Sequence, residues 1–409
     1  MIDFKTHANA LRDELITRRR DFHQYPELAF QETRTAGLVA AELQRLGLDV
    51  QTGIAKTGIV AMLEGVSDGP TVLYRADMDA LPITEDNAVE YISKTPGVMH
   101  ACGHDGHVSV ALGVAKIMAK YRHQIAGRIK FVFQPGEEGA GGALAMIGAG
   151  VLEDPVPDVS LGLHIWNNLP LGMIGVAEGA VMSGSSIFNL VIRGKGGHAA
   201  LPYTTLDPVA CAGQLITALH TLVGRKMDAM AGAVVLSITG VNTSTSGYNI
   251  IPESVEIRGT FRSFNAYTSE MLEQHIRAMS QAVCASVGCE VEVMVKHLTI
   301  PVMNHPEVTA RLRKAFARVV DPDCLDANAR TMASEDMAYL MDDIPGMYFF
   351  VGSANKDKGL DYGHHHPRFN FDEDALPLAV MLMCTAIADY IMPESDEMVT
   401  EKETSVPAF

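Results

Sequence analysis

The chain has 409 residues, 47% of them hydrophobic and 20% charged, and carries a formal net charge of −17 at pH 7. That length exceeds what one core fills comfortably, so two domains are expected. The acidic balance argues against nucleic acid or an anionic membrane as partner, although a local arginine can still hold an anionic small molecule. No run reaches the roughly 18 apolar residues that cross a bilayer. Met1 to Arg20 is charged and amphipathic, without the apolar centre of a signal peptide. Cys102, Cys211, Cys284, Cys289, Cys324 and Cys384 follow no framework spacing, which suits a reducing, cytoplasmic setting.

Residues 5–24 and 32–47 have helical patterning, and strand-like apolar runs follow at 58–63 and 71–75. A helix is expected from Val108 through Met118, then a buried strand at 128–133, a Gly/Ala-rich helix, and a strand at 159–163 ending at His164. This alternation indicates an α/β layer with a largely parallel central sheet, whose C-terminal strand edge is where ligands bind. After about Ser183 the texture changes to strand 187–192, helix 206–224, strands near 233–240 and 250–262, helix 267–287 and strand 289–297. That β-α-β-β-α-β order predicts a two-layer α+β, ferredoxin-like unit inserted into the larger domain. Beyond Pro301 helices and a strand at 346–351 resume, with a last helix at 372–391. The expected domains are 1–183 with 300–392, and an insert at 184–299; the polar, acidic tail 393–409 is expected to be disordered.

The densest chemistry is His100-Ala101-Cys102-Gly103-His104-Asp105-Gly106-His107, five potential metal ligands in eight residues. Sulfur and imidazole together suit zinc or another late first-row metal. Glu138, His164 and the triple histidine His364-His365-His366 add ligand-type groups from three further segments. So many ligands suit two metals sharing a bridging group, which hold a water and polarise a carbonyl together. Adjacent Glu137 and Glu138 need separate roles, one binding metal and the other moving a proton; alternatively both decorate a helix N-terminus. Asp77 and Asp79, at a strand end before Pro82, either orient ligands or are ordinary turn acids. No nucleophile elbow or Ser/His pair offers a competing chemistry.

The ordered set Arg75-Ala76-Asp77-Met78-Asp79-Ala80-Leu81-Pro82-Ile83, Cys102-Gly103-His104-Asp105, Gln134-Pro135-Gly136-Glu137-Glu138, Leu163-His164 and His365-His366-Pro367 resembles the amidohydrolase branch of the aminoacylase/carboxypeptidase family of co-catalytic metallopeptidases. That branch contains hippurate hydrolases, indole-acetyl-amino-acid hydrolases and N-acetyl-diaminopimelate deacetylases. The likeness runs from Arg18-Arg19-Arg20-Asp21-Phe22-His23 to the final helix. It implies an α/β metallopeptidase-type catalytic domain and an inserted lid and dimerisation domain.

By this resemblance Cys102, His104, Glu138, His164 and His365 are the metal ligands, Glu137 the general acid/base and Asp79 the supporting carboxylate. His364 and His366 stand outside the ligand set, and Asp77 has no fixed role. His198, in Gly197-His198-Ala199, reaches a partner subunit's site to stabilise the oxyanion; without the likeness it is an ordinary loop histidine. Asn249 helps form the substrate pocket, and Arg262 clamps a substrate carboxylate unless it makes only a surface salt bridge. The implied cofactors are two divalent ions per subunit, zinc first, with manganese, cobalt or nickel as alternatives. The implied activity is hydrolysis of N-acyl-L-amino acids by a homodimer. A carboxypeptidase or dipeptidase with the same centre, or a non-catalytic binder, is the alternative. Gly136 replaces a common alanine, which should only loosen its turn. Tyr203 replaces a common histidine and Val241–Gly247 lacks the usual paired glycines, so the acyl pocket is expected to differ.

Overall fold

The computed structural model describes residues 2–230 and 232–392, so the expectation of a disordered tail at 393–409 lies outside the described residues. The chain divides into two compact units. The larger takes in the chain to Gly179, Met303–Arg330 and the chain from Tyr339; the smaller takes in Ala180–Val302 and Thr331–Ala338. The short return segment 331–338 is not separable by chain order alone, because it has no repeat or composition shift to mark it.

In chain order the larger unit begins with helices α1 (Phe4–Ala10), α2 (Arg12–Gln24) and α3 (Thr33–Arg45). The single helix expected over 5–24 is broken at Leu11, whose N–H turns back to Ala8 O at 3.0 Å, a tightened three-residue closure. Helix α3 starts where the Glu27 carboxylate accepts the N–H groups of Arg34 and Thr35 at 2.9 and 2.8 Å. A carboxylate six or more residues upstream thus satisfies helix-end donors that a local cap would otherwise take. Strands β1 (Asp49–Ile54), β2 (Gly58–Glu64) and β3 (Ser67–Asp77) follow. Strand β1 went unpredicted because it is an edge strand of mostly exposed residues with no apolar run.

Helix α4 (His104–Lys120) starts inside the Cys/His cluster, four residues earlier than the apolar pattern suggested. Gly103, at φ +97°, makes the left-handed turn that a side chain would resist, so the helix can open directly on His104. Strand β4 (Ala126–Gln134), helix α5 (Gly142–Gly148) and strand β5 (Val159–Pro170) complete this stretch.

The smaller unit has β6 (Gly184–Arg193), α6 (Pro208–Lys226), β7 (Val234–Thr243), β8 (Ser254–Ser263), α7 (Ala266–Ser286) and β9 (Glu290–Thr299). The larger unit then resumes with α8 (Pro306–Phe316), β10 (Gly346–Ala354) and α9 (Ala375–Ile391).

The larger unit's sheet has the order β1-β2-β4-β3-β5-β10, followed by two-residue strands at Ile174–Gly175 and Leu325–Asp326. Its centre is parallel, β4 beside β3, β3 beside β5 and β5 beside β10, while β1, β2 and β4 pair antiparallel. Strand β5 does not stop at His164: pairing with β10 carries it on, so His164 sits within the strand beside Phe350. Helices α4 and α9 pack together beneath this sheet, and α9 is apolar nearly all round because nearly all of it is buried. Each fully buried Leu, Val or Met there contributes about 1.5–3 kcal/mol.

The smaller unit is an antiparallel sheet of order β7-β8-β6-β9 with α6 and α7 on one face. Alternate residues of β8 are buried, among them Val255, Ile257 and Phe261. They meet Leu215, Leu219, Leu272 and Ile276 from the helices. Asp207 and Asn265 cap α6 and α7 by accepting two amide N–H groups each. This is the expected ferredoxin-like order.

Candidate metal centre

The N-terminus of α4 and the interior of β5 bring two histidines into the same site, each oriented by one ring nitrogen. His104 Nδ1 donates to Asp79 O at 2.8 Å, and His164 Nδ1 donates to Ile165 O at 2.7 Å. Both rings therefore present Nε2, the arrangement by which a backbone carbonyl fixes the tautomer of a ligating imidazole. His104 Nε2 and Glu138 Oε1 are buried without a hydrogen-bond partner and lie 4.0 Å apart. Cys102 Sγ is 3.5 Å from His164 Nε2. Cys102, His104 and Glu138 offer ligand atoms all within 4.8 Å of one another, as do Cys102, His164 and His364. A thiol, two imidazole Nε2 atoms and a carboxylate converging in a buried site, with His104 Nε2 and Glu138 Oε1 left unpaired, fit a divalent metal.

The electrostatics agree. Burial opposes a charged His104, but Asp77, Asp79 and Glu138 outweigh it and push its pKa up to about 10. Burial also raises the Cys102 thiol well above its usual range, helped by the nearby Glu138, Glu137 and Asp77 carboxylates. Burial holds His164 well below its usual value, and so neutral, as a ligand must be. The acids call for positive charge, and a divalent cation would supply it while turning Cys102 into a thiolate.

The turn after β4 carries the two adjacent glutamates. Asp79 Oδ1 accepts from Glu137 N–H and Oδ2 from Glu138 N–H, each at 3.0 Å. One carboxylate thus fixes the backbone of both residues. Gly136 has φ +62°, and a Cβ there would lie 3.1 Å from the Phe30 ring. Glycine therefore does not merely loosen this turn. The backbone conformation and the ring above it favour glycine, and alanine would be strained.

Residues without an assigned role from sequence complete the surroundings. His107 Nδ1 donates to Asp77 Oδ1 at 2.6 Å, and its Nε2 accepts from Ile165 N–H at 3.0 Å. It therefore ties β3 to β5 beside His164. Its spacing of three from His104 on a helix put both on one face, and was the available signal. Asp77 also accepts from Arg75 at 2.6 Å, so both its oxygens are engaged. Asp105 receives Arg19 Nε and His23 Nδ1, each at 2.8 Å, and Arg19, His23 and Asp105 are fully buried. His23 Nε2 donates to Glu85 at 3.1 Å. His100 is buried with neither ring nitrogen hydrogen-bonded, and burial lowers it to about 4.

The triple histidine splits three ways. His364 is half-buried, with Nδ1 on Cys102 O at 3.2 Å and Nε2 accepting from Asn167 N–H at 3.1 Å. Its ring stacks on Trp166, the chain's one tryptophan, at 4.4 Å between centroids, and Trp166 lies 5.1 Å from the His164 ring. His365 has φ +66°, a half-exposed side chain, and Nε2 3.3 Å from Glu138 Oε1. His366 is exposed and stacks on Tyr362.

In the smaller unit His198 and Asn249 come together. His198 pairs with Ile250 across a two-residue ladder, and Asn249 O accepts from Ala199 N–H at 3.0 Å. His198, Asn249 and Tyr203 are exposed. Arg262 is half-buried, and its guanidinium donates to Met332 O and Ser334 Oγ at 3.3 and 3.1 Å. Among the described residues no carboxylate pairs with Arg262, and burial alone lowers its pKa. The surface salt bridge is not what this arginine makes.

A family model described as Peptidase family M20/M25/M40 matches residues 73–389. N-acetylcysteine deacetylase of Bacillus subtilis is 36% identical over 371 residues, 90% of this chain and 95% of that protein. Thermostable carboxypeptidase 2 of Saccharolobus solfataricus is 36% identical over 381 residues, 92% of this chain and 95% of that protein. Among solved structures, the Bacillus subtilis YXEP protein, described as a dinuclear metal binding peptidase, is 33% identical with a TM-score of 0.79. The match covers 92% of this chain and 98% of that one. No helix among the described residues is long and apolar enough to cross a membrane.

Proposed function

We propose a function from the premise that this chain belongs to peptidase family M20/M25/M40. It is a metal-dependent amidohydrolase that cleaves the amide bond of N-acyl-L-amino acids, giving a carboxylic acid and a free amino acid. One observation carries the reading. The unpaired His104 Nε2 and Glu138 Oε1 converge with Cys102, whose sulfur also meets His164 Nε2, while the turn bearing Glu138 also bears Glu137.

In this reading Cys102, His104, Glu138, His164 and His365 hold two divalent ions, with zinc the first choice and manganese, cobalt or nickel the alternatives. Bound there, the ions supply Lewis acidity toward the amide carbonyl and make water acidic enough to attack at neutral pH. Glu137 takes the attacking water's proton and passes it to the departing amine. Asp79 keeps Glu137 and Glu138 in register through their amides. His198, from a second copy of the chain, steadies the developing oxyanion. Arg262 binds the substrate carboxylate, for which its fork is suited, and Asn249 lines the pocket. We place the enzyme in a reducing cytoplasm as at least a homodimer; the six cysteines are free in the structure, including Cys211 and Cys284 with sulfurs 3.5 Å apart.

The test is release of free amino acid from a panel of N-acetyl- and N-benzoyl-amino acids and dipeptides. Each is assayed as prepared, after chelation, and after return of zinc, manganese, cobalt or nickel. Release from acyl-amino acids that disappears on chelation and returns with metal supports the reading. Release confined to dipeptides would replace it with the peptidase reading that the carboxypeptidase relative suggests. No release under any metal from folded protein would overturn both.

A further inference from the structure

The turn that carries Glu137 is held from two sides. On one side is Asp79. On the other is Glu32, a fully buried acid at the start of α3 that the reaction does not use. Its Oε1 accepts from Gly136 N–H at 3.0 Å and from Phe30 N–H at 2.9 Å, and its Oε2 accepts the Thr57 hydroxyl at 2.5 Å. Three consecutive amides, those of Gly136, Glu137 and Glu138, therefore end on two buried carboxylates.

The segment leading to Glu32 reinforces both attachments. Ala80, next to Asp79, donates its N–H to Glu27 O at 2.9 Å. Phe30 adopts φ +60°, uncommon for a bulky residue, and its ring covers Gly136. A carboxylate buried without a cation is costly, and among the described residues no Lys, Arg or His pairs with Glu32. The interactions that compensate it are the ones that hold the turn.

We propose that Glu32 is a positioning residue for the reaction: through the Gly136 amide it fixes the turn on which Glu137 and Glu138 stand. This rests on the reading of Glu137 as acid/base, and the backbone part of the test stands without it. Misplacing a proton-transfer group lowers turnover without changing substrate binding, and loss of a residue supporting a metal site typically costs 10- to 100-fold.

The experiment compares wild type, Glu32→Ala and Glu32→Gln, all loaded with the same metal. Hydrogen exchange of the peptide spanning residues 134–139 should quicken at least about tenfold in E32A and little in E32Q, whose amide oxygen still accepts both N–H groups. In the same proteins kcat should fall about 10- to 100-fold in E32A with KM within about twofold, and recover to within about threefold in E32Q. Unchanged exchange at 134–139 in E32A, or equal kcat losses in both variants, would overturn the proposal. If E32A does not fold, Phe30→Gly takes its place, since glycine accepts φ +60° while removing the ring over Gly136. It should lower kcat about 3- to 10-fold at unchanged KM, and an unchanged kcat would overturn the proposal. Wild type that hydrolyses no acyl-amino acid would overturn the function reading, while the exchange result would still decide what Glu32 holds.

Discussion

The two units hold their chemistry-bearing residues in opposite ways. In the larger, His104, His164, His107, Asp77, Asp79 and Asp105 are essentially inaccessible, and each has at least one polar atom tied to backbone or to a charged partner. In the smaller, His198 and Asn249 are exposed on a two-residue ladder. The Nδ1 of His198 is held by the Ala200 amide two residues away. The difference teaches where preorganisation is built in. The larger unit has its polar groups fixed by burial and buried partners, whereas the exposed His198 ring is held by its own loop. Removing a buried support in the larger unit should therefore cost stability, whereas changing His198 in the smaller should not.

The sharpest probe is Glu137→Gln, which keeps the Asp79-to-amide bonds and so leaves the turn intact. It should lower kcat by about 10²- to 10⁴-fold with metal content, by elemental analysis, unchanged. Near-normal turnover would remove Glu137 as the acid/base. Next is Arg19→Ala, which strips the buried Asp105 of its guanidinium partner and leaves it with His23, beside His104. Urea unfolding should show a loss of about 3–5 kcal/mol, and a loss below about 1 kcal/mol would mean the larger unit is not held as described. His198→Ala should do the reverse: an unaltered unfolding curve with kcat down about 10²- to 10³-fold, the cost of one oxyanion donor. Full activity in a monomeric preparation would break the part assigned to a second copy.

The smallest effect comes from the surface of the larger unit. Hydrogen bonding from Arg45, with Arg18 beside it, lowers the Glu42 carboxyl from 4.5 to about 2 despite partial burial. A depressed acid contributes stability that is present above its unfolded pKa and lost as pH falls through its folded one. The gap in Tm between wild type and Glu42→Gln should therefore be full above pH 4.5 and close toward pH 2. The gap corresponds to about 1 kcal/mol or less, because Arg45 is largely exposed. A gap that grows on acidification would reverse the assignment.

The order of secondary structure in the smaller unit was legible because β8 and β9 alternate in burial and both long helices have side-chain caps. In the larger unit the buried parallel strands and α9 were equally plain. What was not legible involves tertiary override. Strand β1 has no apolar signature and exists because β2 offers it an edge. Helix α4 starts at His104 because of one left-handed glycine, and β5 passes His164 because β10 lies alongside. The residues Cys102, His104, Glu138 and His164 were readable from type and spacing. Of their supports, Asp79 was named through the family resemblance, while those farther upstream were not. Glu32, Arg19 and His23 lie far upstream in ordinary helical sequence, and nothing local distinguishes a buried carboxylate that holds a distant turn from one that faces water.

Trp166 gives the site its own optical signal. The one indole in the chain is stacked on the His364 imidazole and edge-on to that of His164. Its emission depends on the charge and rigidity of those two rings, so loading or stripping the centre should register as a change in intrinsic fluorescence. No label or substrate is needed, and the smaller unit, which has no tryptophan, contributes no background.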